Sequence, residues 1–299
     1  MPSKKHPLFI VFIILAITVV FLGMVMAVII MTFGGTTKLS FGDKIGVIKI
    51  EGPIKDSGPI LSQLVRFRKD RGIKAIVVRI DSPGGGVGPS QEIYKEVRKT
   101  RRTKKVIASL GGVAASGGYY IAAAADKIVA NPGTITGSIG VIMEFLQVEE
   151  LMKKIGIDFE VVKSGEFKDI GSPIRKMSEK EKDLLEEVIA DIKEQFVRAV
   201  AEGRGLRIEQ VQEIADGRII SGARAKELGL VDSLGNFQDA LELAKKMSGI
   251  KGEAQIVYPK RPKGRIWDLL FEGAVRALFK AIKEHDSWSL EYRWSGQII

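Results

Sequence analysis

Residues 8–33, LFIVFIILAITVVFLGMVMAVIIMTF, carry no charged side chain over 26 positions. As a helix rising about 1.5 Å per residue, this run is long enough to cross a hydrocarbon layer of about 30 Å. A cleaved leader has a shorter apolar region that ends in a small-residue site, so the run reads as a transmembrane anchor. Lys4 and Lys5 precede it and the next charge is Lys38. That basic bias sets the N-terminus in the cytoplasm and everything after the anchor outside. The expected organisation is an N-terminus and anchor over residues 1–37, a globular domain over 38–258, and a basic linker with an amphipathic helix over 259–299.

This topology narrows the chemistry. The chain has no cysteine and two histidines, His6 and His285, so thiolate nucleophiles, disulfide frameworks and cysteine-bearing metal sites are excluded. The membrane separates His6 from the domain, and His285 lies in the polar sequence Lys-Glu-His-Asp-Ser, which reads as surface. A net charge of +10 suits an anionic partner, either a phospholipid surface or nucleic acid, or a generally basic solvated surface. An outward-facing domain argues against nucleic acid.

Residues 44–50, KIGVIKI, and 74–80, KAIVVRI, alternate and are β-branched at their centres, as strands require. Between them, over 58–71, Ile60, Leu61, Leu64, Val65 and Phe67 recur at helical spacing. The result is a strand-helix-strand unit and an α/β fold with parallel pairing. The second strand runs into Asp81-Ser-Pro-Gly-Gly-Gly-Val87, followed by a helical run over 89–100. Three glycines at the carboxyl end of a parallel strand can bring backbone N–H groups close to a ligand. Neither the Walker nor the dinucleotide spacing is present, so an oxyanion donor loop fits better than a phosphate loop. Further on, residues 159–163 read as another strand. Ser178 and Glu181 form a capping box for a long helix whose core face is Leu185, Val188, Ile189, Ile192, Phe196 and Val200, with Gly203 as its end. Residues 207–248 read as three short helices and 266–283 as an amphipathic one.

The segment over 109–126, SLGGVAASGGYYIAAAAD, places one hydroxyl, Ser116, among residues with almost no side chains. An apolar run precedes it and an alanine-rich run follows, so Ser116 stands where a strand hands over to a helix. The free N–H groups and positive end of that helix suit an oxyanion. Two readings stand: Ser116 as nucleophile, or as the cap of a tight junction. The hydrolase elbow is excluded, because Ala114 stands where it needs glycine. Without a usable histidine, a serine can be activated by a lysine kept neutral by desolvation. Lys168, between a Ser-Gly-Glu-Phe segment and a turn, is a candidate, though spacing alone makes it a surface lysine.

The run AASGGYYIAAAADKIVANPGTITGSIGVI, with DSPGGG upstream, VKSGEFKDIGSP downstream and GRIISGARAKELGLVDSLG over 217–235, closely resembles the short-form signal peptide peptidase A family of membrane-anchored serine proteases. The likeness covers about residues 44–250. It implies a Clp protease/crotonase-like α/β fold with Ser116 as nucleophile, Lys168 as general base and Ser138 holding the lysine amine. The N–H groups of Gly85 and Gly117 would form the oxyanion hole, with Gly84 or Gly86 as alternatives to Gly85. The resemblance further implies a ring-shaped homo-oligomer, an octamer, with each site shared between neighbouring subunits. The substrates would be hydrophobic remnant signal peptides in the inner or plasma membrane, cleaved without metal, nucleotide or other cofactor. Rival readings are a related protease cutting a stomatin-like membrane partner, a crotonase-like acyl-CoA enzyme, and a non-enzymatic membrane scaffold. The outward-facing domain argues against the second, since coenzyme A is cytosolic, and the presence of both Ser116 and Lys168 argues against the third.

Overall fold

The computed structural model describes residues 7–33, 42–259 and 291–293. The chain divides into two compact units, Met1–Gly42 and Asp43–Ile299. In the first, helix α1 (Pro7–Phe33) is 27 residues long. Its side chains are described from residue 12 to residue 28, where all of them are exposed. Among the described residues no helix is long and apolar enough to cross a membrane. His6, His285 and the amphipathic segment 266–283 lie outside the described residues.

The second unit is built on an eight-stranded sheet. Strands β1 (Lys44–Glu51) and β2 (Ile73–Ser82) pair in parallel around the crossover helix α2 (Gly58–Lys69), the unit expected from their β-branched runs. A short glycine strand β3 (Gly84–Gly86) leads into α3 (Val87–Thr100), and β4 (Lys105–Ala115) then pairs in parallel with β2. Strand β4 continues into α4 (Gly117–Ala123), and β5 (Lys127–Ala130) and β6 (Ile135–Gly137) both pair with β4. An arm containing α5 (Glu149–Lys154) is followed by the long helix α6 (Glu179–Arg204) and α7 (Ile208–Gln212). Next come β7 (Ile219–Ser221), α8 (Gly222–Glu227), β8 (Ser233–Leu234), α9 (Phe237–Met247) and β9 (Gln255–Val257). The sheet order is β7-β6-β4-β2-β1-β9, with β5 and β8 branching from β4. Within this sheet all pairs are parallel except β6 with β7.

Successive side chains of a strand point to opposite faces, and the two cores follow that alternation. Ile48, Ile50, Val78 and Leu110 meet Leu64, Phe67, Ile93 and Phe196 beneath α2, α3, α4 and α6. Ile45, Val47, Val77 and Ile107 meet Leu241 and Ala244 of α9 on the other face. On the first face Tyr120 of α4 packs between Tyr94 and Phe196 in tilted and edge-on contacts, with ring centroids 4.9 Å apart on both sides. This joins α3, α4 and α6 directly behind the β4–α4 junction.

Three sequence expectations change. Helix α6 begins at the Ser178–Glu181 capping box as expected, but it ends at Gly205, which is left-handed at φ 65°. Gly203 instead serves packing. A Cβ there would stand 2.1 Å from the Ala123 carbonyl oxygen, so its bare backbone lets α6 cross α4. Substituting Gly203 by Ala is expected to destabilise the domain by about 3 kcal/mol, lowering Tm by roughly 5–10 °C. Thermal unfolding followed by circular dichroism measures this, and an unchanged Tm would refute the close crossing. The first half of α6 is only partly core: Val188 is exposed, Leu185 and Ile189 are half-buried, Ile192 packs against the core from its edge, and full burial of the apolar face begins at Phe196. Residues 159–163 form no strand. They are exposed, and among the described residues no neighbouring strand is available to pair with them. The three short helices expected over 207–248 are α7, α8 and α9.

Candidate active site

The carboxyl ends of β2, β4 and β6 bring the sequence-marked residues to one edge of the sheet. Ser116 is the junction residue between β4 and α4, at φ 52° and ψ −119°. Ser138, directly after β6, has φ 51°, and among the described residues these are the two non-glycine positions with positive φ. Each such conformation costs about 1–3 kcal/mol and persists where its surroundings impose it. Here the Ser116 N–H donates to the Gly137 carbonyl at 2.9 Å, the Tyr120 N–H donates to the Ser116 carbonyl at 2.8 Å, and the Ser138 N–H donates to the Arg218 carbonyl at 2.8 Å. Because Ala115 is in register with Gly137, the two serines emerge side by side. They are buried, at 1% and 7% exposure.

This geometry bears on the capping alternative. A capping serine takes an extended backbone and accepts a hydrogen bond from the first turn, as Ser178 does at α6. Ser116 is in neither state, since its side chain makes no capping hydrogen bond. Of the two glycines after it, Gly117 opens α4, where first-turn N–H groups have no intrahelical acceptor. Gly118 serves packing, since a Cβ there would stand 3.0 Å from the Ser82 carbonyl oxygen.

The glycine triplet has a defined hydrogen-bond pattern. Gly84 N–H donates to Ser82 Oγ at 3.1 Å. Gly86 N–H donates to the Ile54 carbonyl at 2.8 Å, and Ile54 N–H donates to the Gly84 carbonyl at 2.8 Å. Strand groups alternate in direction, so Gly85 presents its N–H and C=O to the opposite edge. On that edge strand β10 (Glu291–Arg293) pairs antiparallel, with Tyr292 opposite Gly85. Gly85 has φ 156° and a Cβ there would meet the Ile54 carbonyl oxygen at 2.3 Å. The triplet is thus required by the backbone path itself.

Lys168 is placed differently. It stands exposed in a turn, its N–H donating to the Gly165 carbonyl at 3.2 Å. Among the described residues its ammonium has no hydrogen bond or ion pair. The structure therefore brings Ser116, Ser138 and the glycine loop together and leaves Lys168 on the arm between β6 and α6. That arm is apolar and uncovered, with Leu146, Ile157, Phe159 and Phe167 exposed and Val162 95% exposed. An open groove of about 580 Å³ runs along it between Phe145, Leu151 and Met177.

The arm is fastened by a charge network that sequence reasoning missed. The Asp169 carboxylate accepts from Arg175 Nε at 2.7 Å and Nη2 at 2.8 Å, and from Lys163 Nζ at 2.7 Å. Arg175 Nη1 also donates to Glu181 at 2.9 Å, and Glu181 accepts the Ser178 N–H at 2.8 Å in the capping box. Hydrogen bonds from Arg175 and Lys163 hold the Asp169 carboxyl well below the usual carboxylate range. Those from Arg175 and the Ser178 N–H lower Glu181 to about 2. The loop next to Lys168 is in this way tied to the start of α6. The network's members are six residues apart in a turn, a spacing that no helix or strand period picks out.

Comparison with known proteins agrees with this architecture. Residues 98–251 match Peptidase family S49, and residues 42–134 match Clp protease. The chain is 44% identical over 214 residues to a protein of Synechocystis sp. provisionally named protease slr0021, covering 71% of this chain and 77% of that one. It is 37% identical over 235 residues to a protein of Enterococcus faecium provisionally named signal peptide peptidase SppA, covering 74% and 68%. Protease 4 of Salmonella typhi is 35% identical over 255 residues, 81% of this chain and 41% of that longer protein.

Proposed function

The chain belongs to peptidase family S49 and is a serine protease, and from that premise we propose that it is a membrane-anchored endopeptidase that degrades remnant signal peptides with a Ser116–Lys168 dyad. The observation that carries the assignment of Ser116 is its strained, buried position at the β4–α4 junction, where it caps nothing and stands beside Ser138. In the proposed reaction the Lys168 amine takes the hydroxyl proton as Ser116 Oγ attacks the peptide carbonyl. The N–H groups of Gly85 and Gly117 hold the oxyanion. Gly85 is favoured within its triplet because the N–H groups of Gly84 and Gly86 are engaged within the loop and with Ile54, whereas Gly85 faces the β10 edge, where a peptide could take the place of that strand. The C–N bond then breaks, the leaving amine takes the proton from the lysine, and water deprotonated by the same lysine hydrolyses the acyl ester. Ser138 orients the amine.

An exposed Lys168 on an uncovered apolar arm supports association of copies in which the arm of one subunit supplies the base to the serine of its neighbour; the family resemblance makes that assembly a ring, an octamer. The uncharged run of residues 8–33 in the sequence supports a single-pass anchor in the inner or plasma membrane, with the N-terminus cytoplasmic and the protease domain outside. There it meets membrane lipid and apolar peptides left by preprotein processing, and nucleic acid is no partner. No metal or other cofactor takes part in the steps above.

The test is cleavage of a synthetic signal peptide and of a polar peptide of equal length by the full chain in proteoliposomes, from pH 5 to pH 9. The apolar peptide is expected to be cut preferentially, and its kcat/KM to fall on acidification because a protonated amine accepts no proton. The arm network does not confound this window. Asp169 and Glu181 have lowered carboxyl values, so their contribution to stability is present above about pH 4 and is lost only in stronger acid. A rate that stays flat down to pH 5 would overturn the lysine base, and selective cleavage of a folded membrane protein with neither peptide cut would overturn the substrate class.

A further inference from the structure

The two ends of the parallel sheet differ in charge. The glycine loop, Ser116 and Ser138 occupy the carboxyl ends of the strands, and at the amino ends Lys44 is in register with Ile73 and Gln255, and Lys105 with Ala75. Helices α2, α3 and α9 run back against the strands, so their last turns reach this same end carrying Lys69, Lys99 and Lys246. Hydrogen bonds fix the juxtaposition: Lys44 N–H donates to the Gly72 carbonyl at 2.9 Å and Gln255 N–H to the Asp43 carbonyl at 3.1 Å. Lys104 Nζ reaches the Phe67 carbonyl at 2.7 Å, tying the end of α2 to the start of β4.

The outcome is a rim on which Lys69, Arg71, Lys74, Arg102, Lys105 and Lys251 are all exposed. Of the acidic residues at this end, Asp43 pairs with Lys74 at 3.6 Å, the Asp70 carboxylate accepts the Gly72 N–H at 2.8 Å, Asp126 accepts the Val106 N–H and Asp232 the Ile128 N–H, each at 2.8 Å, and Glu253 is exposed. Positive charge is in clear excess. Basic residues in a last helical turn are favoured by the helix dipole, which accounts for Lys69 and Lys99. It does not account for Arg71, Lys74, Lys105 and Lys251, which lie in turns or at strand starts. The position of the rim supplies the second observation. Asp43 opens the globular unit, so the chain enters the domain at this end.

We propose that this rim is a docking surface for the anionic headgroups of the bilayer, an inference that rests on the membrane-anchored reading. Clustered lysines and arginines next to a membrane segment are attracted to an anionic leaflet over about a Debye length. The rim then stands on the bilayer. The ten residues of β2, at about 3.3 Å each, hold the catalytic edge some 30 Å away, so a peptide must leave the hydrocarbon before it is cut.

The test is amine footprinting of the full chain in nanodiscs of phosphatidylcholine alone or with about a third phosphatidylglycerol, using N-hydroxysuccinimidyl acetate and peptide mass spectrometry. Lys69, Lys74, Lys105 and Lys251 are expected to react about five-fold more slowly in the anionic discs, with the protection lost in about 0.5 M salt. Lys49 and Lys180 are expected to react equally in both. Equal rates at the rim lysines would overturn the proposal, and so would protection by added RNA in zwitterionic discs with none from phosphatidylglycerol. A chain that enters neither disc refutes the anchor, and the rim is then decided by sedimentation with anionic but not zwitterionic vesicles.

Discussion

Replacing Ser116 by Ala is expected to lower peptidase turnover by a factor on the order of 10⁴ or more and to remove the adduct that the native chain forms with a fluorophosphonate. The argument is specific to this position. The Ser116 hydroxyl makes no capping hydrogen bond, so its removal leaves no helix donor unsatisfied. Alanine and serine pay a similar strain at φ 52°, and the backbone bonds from Ser116 to Gly137 and from Tyr120 to Ser116 do not involve the side chain. Stability is therefore expected to change by less than about 0.5 kcal/mol. Intact mass after labelling and circular dichroism of the same sample separate chemistry from folding. An adduct that persists on the folded Ser116→Ala chain would move the nucleophile elsewhere.

Lys168→Ala is expected to cost a comparable factor, since a serine hydroxyl without its base is a poor nucleophile. The more informative measurement mixes the two inactive chains. Lys168 stands on an exposed arm and makes no polar contact with Ser116 or Ser138 in its own chain. If the arm serves a neighbouring subunit, rings reassembled from equal amounts of Ser116→Ala and Lys168→Ala chains contain sites with an intact serine from one and an intact lysine from the other. Random assembly around a head-to-tail ring gives about a quarter of the native sites. Recovery of that fraction on mixing establishes the shared site. No recovery in fully exchanged rings would place both groups in one chain, reached by movement of the arm.

How far the sequence foretold this molecule depended on the range of the interaction. The strands 44–50 and 74–80 and the helix between them follow from β-branched runs and helical spacing, signals contained within a dozen residues. The handover at Ser116 was legible for the same reason. What was not legible depends on residues far apart in the chain. Gly203 reads locally as a helix end, yet its role is set by Ala123, eighty positions earlier. Residues 159–163 have the composition of a strand, but a strand also needs a neighbour, and the fold offers none among the described residues. The positive φ of Ser138 depends on Arg218, and the fastening of the Lys168 loop depends on Arg175 reaching both Asp169 and Glu181. Leu185, Val188 and Ile189 carry the periodicity of a core face, yet Val188 is exposed and the other two are only half-buried, because periodicity does not say how far along a helix the core extends.

The edge of the glycine loop is already taken. With Tyr292 in register with Gly85, an incoming peptide competes with a strand covalently joined to the enzyme. A tethered competitor is present at an effective concentration of about millimolar order however dilute the protein is. Short peptides then show a weakened apparent affinity, in proportion to the fraction of chains whose edge stands open. On the proposed reading, substrates concentrated by a bilayer would carry the same advantage as the resident strand and are expected to exchange with it more readily than free peptides.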